Sequence, residues 1–245
     1  MRYLLLADIH ANLDALETVL DAAAGGYDRL LVLGDLVGYG AEPNEVVDRL
    51  RALEPAAGVR GNHDKAACGL ADLTDFNPIA RASIEWTMGR LTAENLAYLR
   101  GLAAGPVAVS PRAEICHGAP FDEDAYIFDG TDALRAIHAA GRPVCFFGHT
   151  HVQVAFLYSA AAFEARLPPG DLLTIVDRDD QSLLVNPGSV GQPRDGDPRA
   201  AFGIYDDEAR TIALRRVAYP IERAQRKILD AGLPRALAAR LAMGR

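Results

Sequence analysis

The spacing of hydrophobic residues changes repeatedly along the first 150 residues. Short apolar runs alternate with longer segments in which apolar residues recur every three to four positions, as expected for helices with one buried face. This alternation predicts a largely parallel sheet covered by helices. The predicted strands are Tyr3–Ala7, Arg29–Leu33, Ala57–Arg60, Ala113–Cys116 and Pro143–Phe147. The predicted helices are Asn12–Ala24, Asn44–Leu53, one or two helices within 78–102 with a break near Gly89 and Thr92, and Asp129–Ala140.

After residue 150 the chain is dominated by strand-like runs with short turns between them. This pattern predicts an antiparallel part, so two sheets packed together are expected within one α/β domain over 1–245. One or two helices are predicted within 220–245, divided by Gly232 and Pro234. The predicted strands of this half are Val152–Tyr158, Leu172–Asp177, Ser182–Val185, Ala200–Tyr205 and Thr211–Val217.

Composition narrows the function classes. The formal net charge is −8, which disfavours a nucleic-acid groove because such grooves need clustered Lys and Arg. The three cysteines are odd in number and form no CxxC pair, so a disulfide framework is not expected. No stretch approaches the ~18 apolar residues of a membrane helix, and the apolar start is too short for a signal peptide. The sequence therefore predicts a cytoplasmic protein.

Residues that can bind metals follow the predicted strands. Because sites in parallel α/β sheets form at the carboxyl ends of the strands, we expect these side chains to meet at one edge of the sheet. Asp-x-His and His-Thr-His segments in extended conformation would place both ligands on one side. The residues are Asp8 and His10 after the first strand, Asp35 after the second, Asn62 and His63 after the third, His117 after the fourth, and His149 and His151 after the fifth.

The chemistry of this set indicates a metal site. Imidazole nitrogens with carboxylate and amide oxygens, and no thiolate, suit Mn, Fe or Zn. The number of ligands exceeds the need of one tetrahedral ion, whereas two metals about 3.5–4 Å apart that share a carboxylate would use them all. Each motif alone could be an ordinary turn, and only their combination at successive strand ends favours metal binding.

These motifs resemble those of the calcineurin-like metallophosphoesterases, and of their bacterial and archaeal phosphodiesterase-like branch. The resemblance implies a four-layer αββα sandwich with two mixed sheets and a site at one edge of the sheets. The motifs, in the order of that family, are Asp8-Ile-His10, Gly34-Asp35, Gly61-Asn62-His63-Asp64, His117-Gly118 and Gly148-His149-Thr150-His151, followed by the segment from Asn186 to Gly196.

The resemblance also implies a role for each residue. Asp8, His10 and His151 would hold one divalent metal, Asn62, His117 and His149 would hold a second, and Asp35 would bridge them. A hydroxide shared by the metals, Mn being favoured, would attack the phosphorus of a phosphodiester or phosphomonoester. His63 would act as an acid or stabilise the transition state.

One motif departs from the protein Ser/Thr phosphatases, which carry Gly-Asp-x-Val-Asp-Arg-Gly. Here Gly38 and Tyr39 replace the Asp and Arg of that pattern, which argues against phosphoprotein substrates and favours a small phosphorylated substrate, possibly a nucleotide. Asp64 could orient His63 in place of the missing Asp, or could serve only to stabilise a turn.

Three further residues are candidates for binding the substrate. Asn12 could contact a phosphoryl oxygen, although N-capping the first helix is the favoured alternative. Arg60 and Arg194 could bind phosphate through paired hydrogen bonds, and solvated or ion-paired arginines are the alternative.

Three other functions compete with a phosphodiesterase or phosphomonoesterase. A hydrolase of dinucleoside polyphosphates would use the same centre. A non-catalytic scaffold of this fold, like the retromer subunit that resembles the family, is disfavoured because all ligands and His63 are present. A nicotinamide-dependent enzyme is disfavoured because no GxGxxG follows the first strand. The sequence does not predict an oligomeric state.

Overall fold

The computed structural model describes all 245 residues. It contains twelve strands and eight helices. The strands are β1 Arg2–Leu6, β2 Arg29–Val32, β3 Ala57–Gly58, β4 Val107–Ala108, β5 Ala113–Ile115, β6 Val144–Phe146, β7 Val154–Ser159, β8 Phe163–Arg166, β9 Leu172–Val176, β10 Gln181–Asn186, β11 Ala200–Asp206 and β12 Thr211–Val217. The helices are α1 Leu13–Ala23, α2 Pro43–Ala52, α3 Asn62–Ala67, α4 Pro78–Met88, α5 Ala93–Arg100, α6 Gly130–Ala139, α7 Ile221–Asp230 and α8 Arg235–Leu241.

The strands form two mixed sheets of six. The first sheet has the order β3-β2-β1-β11-β12-β9, in which β1, β2 and β3 are parallel and the remaining pairs are antiparallel. The second has the order β4-β5-β6-β10-β7-β8, in which β5, β6 and β10 are parallel. Each sheet therefore contains strands from both halves of the chain.

Alternation along β1 shows how the layers are held together. Leu4 and Leu6 face one apolar cluster, which they share with helices α1, α2, α7 and α8. Tyr3 and Leu5 face the opposite way, into an 18-residue cluster between the two sheets. A third cluster packs the second sheet against α6, through residues such as Phe147. Three apolar layers separate four layers of secondary structure, as the predicted αββα sandwich requires.

Most predicted elements are present, with small differences at their ends. The segment 78–102 is two helices, α4 and α5, separated near Gly89 and Thr92 as predicted. The six-residue helix α3 and the short strands β4 and β8 were not predicted, because segments this short carry too little periodicity. Helices α7 and α8 pack into the same cluster as α1, which supports the proposal of one domain over 1–245. None of the eight helices has the length and apolar character of a membrane span.

Candidate metal centre

The predicted ligands come from the carboxyl ends of strands in both sheets. Asp8, His10, Asp35 and Asn62 follow β1, β2 and β3 of the first sheet, whereas His117, His149 and His151 follow β5 and β6 of the second. The expectation that one sheet edge collects them all was therefore wrong. The residues meet because the parallel portions of two stacked sheets end at the same side of the sandwich.

The backbone at the ligands is not extended, which corrects a second expectation. Asp8, His10, Asp35, His149 and His151 have φ between 50° and 69°, in the left-handed region. Residues with a Cβ pay a steric cost there, and such strain persists only where the surrounding structure enforces it. The positions of the Asp8 and His10 side chains, and of the His149 and His151 side chains, therefore do not follow from alternation along a strand.

The seven predicted ligands lie together in two overlapping sets. One set comprises Asp8, His10, Asp35 and His151, and the other comprises Asp35, His117 and His149, with ligand atoms within 4.8 Å of one another in each set. Asp35 belongs to both: its Oδ2 lies 3.5 Å from His10 Nε2 and 3.6 Å from His117 Nε2. The Asn62 Oδ1 atom is 3.3 Å from His117 Nε2, which adds the amide to the second set.

Each of the four histidines has one ring nitrogen fixed by a backbone carbonyl. The Nδ1 atoms of His10, His117 and His151 lie 3.1, 2.8 and 2.6 Å from the carbonyl oxygens of residues 37, 33 and 192. His149 uses Nε2 instead, 3.1 Å from the carbonyl oxygen of residue 124. A carbonyl only accepts, so the bonded nitrogen donates its hydrogen and the other nitrogen keeps a free lone pair. This arrangement is typical of metal-binding histidines.

The free lone pairs point at one another, which fits a bound cation. His10 Nε2 and His151 Nε2 are 3.1 Å apart, although neither carries a hydrogen in this tautomer. Asp8 and Asp35 are at most 1% exposed, and neither has a Lys or Arg ion-pair partner. Burial raises the pKa of Asp8 to about 7, and burial together with the charge of Asp64 raises the pKa of Asp35 well above its usual value. Lone pairs and buried carboxylates at these distances repel one another, and divalent cations would attract all of them.

The end of β10 and the loop between β10 and β11 form hydrogen bonds with the ligand motifs. The amide of Gly191 and the hydroxyl of Ser189 both donate hydrogen bonds to the Asp8 carbonyl oxygen, at 3.0 and 2.7 Å. The carbonyl oxygen of Gln192 accepts the hydrogen bond from His151. Asn186 donates to the carbonyl oxygen of Gly148, next to His149. The end of β10 and the loop that follows it therefore fix the backbone at Asp8 and Gly148 and the ring of His151.

His63 lies beside the ligands without sharing their hydrogen-bonding pattern. Its ring centroid is 4.9 Å from that of His10 and 4.4 Å from that of Tyr39. Its Nδ1 atom is buried and has no hydrogen-bond partner. Burial and the nearby charge of Arg194 lower the pKa of His63 well below its usual value, so the ring is neutral at neutral pH in the metal-free protein.

Gly38 accounts for the unpartnered nitrogen. A Cβ at Gly38 would lie 2.4 Å from His63 Nδ1, so position 38, where Ser/Thr phosphatases carry Asp, directly faces this atom. Asp64 does not replace that Asp. Its carboxylate accepts hydrogen bonds from the backbone amides of Leu36, Val37 and Gly61, at 2.9 to 3.1 Å. The hydrogen bonds of Asp64 therefore match the alternative in which this residue stabilises a turn.

The three candidate substrate contacts are placed differently. Asn12 caps α1 through the amide of Ala15, and its amide nitrogen donates to the Gly191 carbonyl, so its contacts match the capping alternative. Arg60 forms two 3.0 Å hydrogen bonds with Glu123, the ion-paired alternative. Arg194 has no carboxylate partner, and its backbone amide donates to the His151 carbonyl oxygen at 3.1 Å. Only Arg194 combines nearness to the ligands with an uncompensated charge.

A cleft of about 440 Å³ opens beside His63 and His149, and it reveals residues that the sequence analysis did not identify. Tyr39 and Phe76 contact the His63 ring, and Tyr126 stacks on His149 with ring centroids 3.7 Å apart. The sequence did carry one signal for Tyr39, because this residue stands where the second motif of the Ser/Thr phosphatases has Arg. Phe76 and Tyr126 lie in loops outside every motif, so no signal pointed to them.

Comparison with known proteins identifies the family. A model of the calcineurin-like phosphoesterase superfamily domain matches residues 1–209. The chain belongs to this superfamily. The crystal structure of a metallophosphoesterase from Sphaerobacter thermophilus is similar with a TM-score of 0.88 and 38% identity, covering 100% of this chain and 99% of that one.

Two sequence relatives extend this similarity. An uncharacterized protein from Methanocaldococcus jannaschii is 35% identical over 246 residues, which cover 98% of this chain and 97% of that protein. Phosphodiesterase YfcE from Escherichia coli is 25% identical over 222 residues, covering 86% and 91%. The predicted family, the fold of two mixed sheets with flanking helices, and the enzyme class, a phosphoric ester hydrolase, are confirmed. The roles of single site residues stay predictions.

Proposed function

We propose that this metallophosphoesterase hydrolyses phosphodiester or phosphomonoester bonds of small substrates with two divalent metal ions, of which Mn is favoured. The observation that carries the proposal is the pair of ligand sets that share Asp35. Asp8, His10, Asp35 and His151 would hold one ion, and Asp35, Asn62, His117 and His149 the other. The bound ions would supply a water molecule of lowered pKa as nucleophile and positive charge for the phosphoryl oxygens.

Backbone groups of the protein orient the side chains that would bind the metal ions. The backbone carbonyls that bind the histidine rings fix which nitrogen faces the ions, and second-sphere contacts of this kind are worth about 10- to 100-fold in metal affinity. Asp35 also accepts a 2.9 Å hydrogen bond from the backbone amide of His63 through Oδ1, which leaves Oδ2 for the centre. The site is thus assembled by backbone groups before substrate arrives.

His63 is proposed as the group that stabilises the transition state. A neutral imidazole can donate its N–H to a phosphoryl or leaving oxygen, and protonation on binding an anionic substrate would turn the same ring into an acid. The ring borders the cleft and adjoins His10 without being grouped among the ligands. These positions support a catalytic role and not a ligand role.

Phosphodiesters are the favoured substrate class. A phosphodiesterase is among the sequence relatives, and the Asp and Arg typical of protein phosphatases are replaced by Gly38 and Tyr39. The acidic chain disfavours nucleic acid, and the cleft beside His63 is of the size that small ligands occupy. The intact ligand sets weigh against a non-catalytic scaffold, and a dinucleoside polyphosphate hydrolase would use the same residues.

Metal titration and a substrate panel test the proposal. Mn-loaded protein should contain about two equivalents of metal, as a two-metal site requires. It should hydrolyse bis(p-nitrophenyl) phosphate, and a chelator should stop the reaction. Asp35→Asn should lower occupancy at both sites, because an amide replaces the shared carboxylate, whereas the exposed His138→Ala should behave as wild type. A plateau at one equivalent, or phosphoserine peptides hydrolysed far faster than any diester, would contradict the proposal.

A further inference from the structure

Two arginines converge on Tyr39 at the rim of the metal centre. The guanidinium carbons of Arg194 and Arg240 lie 5.6 and 5.8 Å from the centroid of the Tyr39 ring. Arg194 belongs to the loop after β10, and Arg240 belongs to α8, so distant parts of the chain bring the two charges together. The Tyr39 ring contacts His10 and His63 at 4.7 and 4.4 Å between centroids. One aromatic ring therefore separates the arginine pair from the reaction centre.

Neither arginine forms an ion pair with an Asp or Glu side chain. Arg194 donates to the Gln192 side-chain oxygen at 2.9 Å, and its Nε atom is buried without a partner. Arg240 donates from Nε to the main-chain oxygen of Arg245, the last residue of the sequence, at 2.6 Å. By contrast, Arg60, Arg112 and Arg199 form ion pairs with Glu or Asp. Two half-buried like charges repel each other, and an anion bound beside both would offset this cost.

The electrostatics agree with this geometry. Burial, and then the charge of Arg194, lower the pKa of Arg240, which places the two cations close enough to repel each other. The backbone amide of Arg194 donates to the carbonyl oxygen of the candidate ligand His151 at 3.1 Å, so this arginine lies beside the metal centre. An anion bound between the arginines would relieve their repulsion.

We propose that Arg194 and Arg240, seated on Tyr39, form an anion subsite that binds a second phosphate of the substrate while the scissile phosphate occupies the metal centre. The inference rests on the proposed function and refines it: preferred substrates carry two phosphates, as nucleoside diphosphates and related phosphoanhydrides or bisphosphates do. Guanidinium groups suit this task because their planar donors pair with two phosphate oxygens at once.

Binding of adenosine 5′-monophosphate and 5′-diphosphate to Mn-loaded protein, measured by calorimetry at fixed free Mn, tests the subsite without requiring turnover. Wild type should bind the diphosphate more tightly. Arg194→Gln and Arg240→Gln should each weaken diphosphate binding about 10- to 100-fold, the value of one charge-assisted contact, and should weaken monophosphate binding much less. Arg240→Lys should be intermediate, because it keeps the charge and loses the fork.

Arg235→Gln is the matched control, because Arg235 lies on the same helix, is exposed and has no ion pair. It should match wild type for both nucleotides. Metal content and melting temperature of each variant identify folding damage, and Arg240→Lys tests the subsite should Arg240→Gln fold poorly. Equal affinity of wild type for both nucleotides, or equal weakening of both by the arginine variants, would overturn the subsite. A diphosphate preference without hydrolysis of any ester would keep the subsite and refute the proposed function.

Discussion

At the scale of single residues, the centre separates ligands from the group proposed to act on the substrate. Every imidazole assigned to a metal has one nitrogen bound to a backbone carbonyl, whereas His63 has no such partner. A carbonyl partner fixes the tautomer of a ring and so prepares it as a ligand. A ring without one is free to respond to the charge of a bound substrate, which is what proton transfer or transition-state stabilisation requires.

This difference predicts distinct effects of histidine substitutions. His63→Ala should lower kcat by about 10²–10⁴-fold for a diester with a poor leaving group, and less for p-nitrophenyl esters, whose leaving group needs little protonation. Its metal content should stay at the wild-type level. His149→Ala should lose metal as well as activity. Loss of metal in His63→Ala, measured by elemental analysis, would make His63 a ligand, and full activity on every substrate would remove its catalytic role.

At the scale of elements, the loop between β10 and β11 is the part that couples the fold to the ligands. Gly191 is the point of closest approach: a Cβ there would lie 1.8 Å from the Ile9 carbonyl oxygen, so any side chain forces the loop away from β1. The same loop supplies the carbonyl of Gln192 that orients His151. Displacing the loop should therefore disturb the first ligand set before it disturbs the second.

Substitution of Gly191 should test this coupling. Gly191→Ala should destabilise the protein by about 1–3 kcal/mol, the usual cost of overpacking a well-packed site, and should weaken binding of one metal equivalent. Gly170→Ala is the control, because no atom lies within 4 Å of a Cβ built there. Thermal unfolding and Mn titration measure the two effects. Unchanged metal affinity in a destabilised Gly191→Ala protein would show that the loop supports the fold and not the centre.

The sequence was sufficient to predict which side chains come together, because their chemistry is local to strand ends. Asp8, Asp35 and His117 each follow a short apolar run, and that signal survives without knowledge of the tertiary structure. The left-handed backbone at Asp8 could not be predicted, because it depends on contacts with β2 and with the loop after β10. The position of Arg240 could not be predicted either, because only the packing of α8 against the first sheet brings it to Tyr39.

At the scale of the whole molecule, metal binding depends on how the two sheets are stacked. Each candidate ligand set draws residues from both sheets, so a shift between the sheets would separate residues that are proposed to share an ion. The apolar cluster between the sheets, with Phe146 and Tyr205 fully buried, resists such a shift. At the end opposite the centre, Asp177 after β9 forms ion pairs with Arg112 before β5, which ties the first sheet to the second.

The ion pair between Asp177 and Arg112 should make a measurable and pH-dependent contribution to the free energy of unfolding. Asp177 is fully buried, whereas Arg112 is 26% exposed, so Asp177→Asn should cost about 2–4 kcal/mol, near the lower end for breaking a buried pair. Asp179 contacts the same Arg112 but is 82% exposed, and Asp179→Asn should change stability by less than about 1 kcal/mol. Chemical unfolding of the chelated protein compares the two variants with wild type at pH 7.

The sign of the pH effect follows from the folded-state pKa of Asp177. Burial alone would raise this pKa, but the hydrogen bonds from Arg112 and Arg210 outweigh burial and lower it below its usual value. A carboxyl with a lowered folded-state pKa stabilises the protein fully above its unfolded pKa of about 3.9 and loses that effect as the pH falls through the folded value. The stability difference between wild type and Asp177→Asn should therefore be constant from pH 7 to about pH 5 and shrink in more acidic solution. Titration of the metal ligands is common to both proteins and cancels in this difference. A difference that grows with acid, or stays constant to pH 2, would show that the ion pair is not what ties the sheets together at this end.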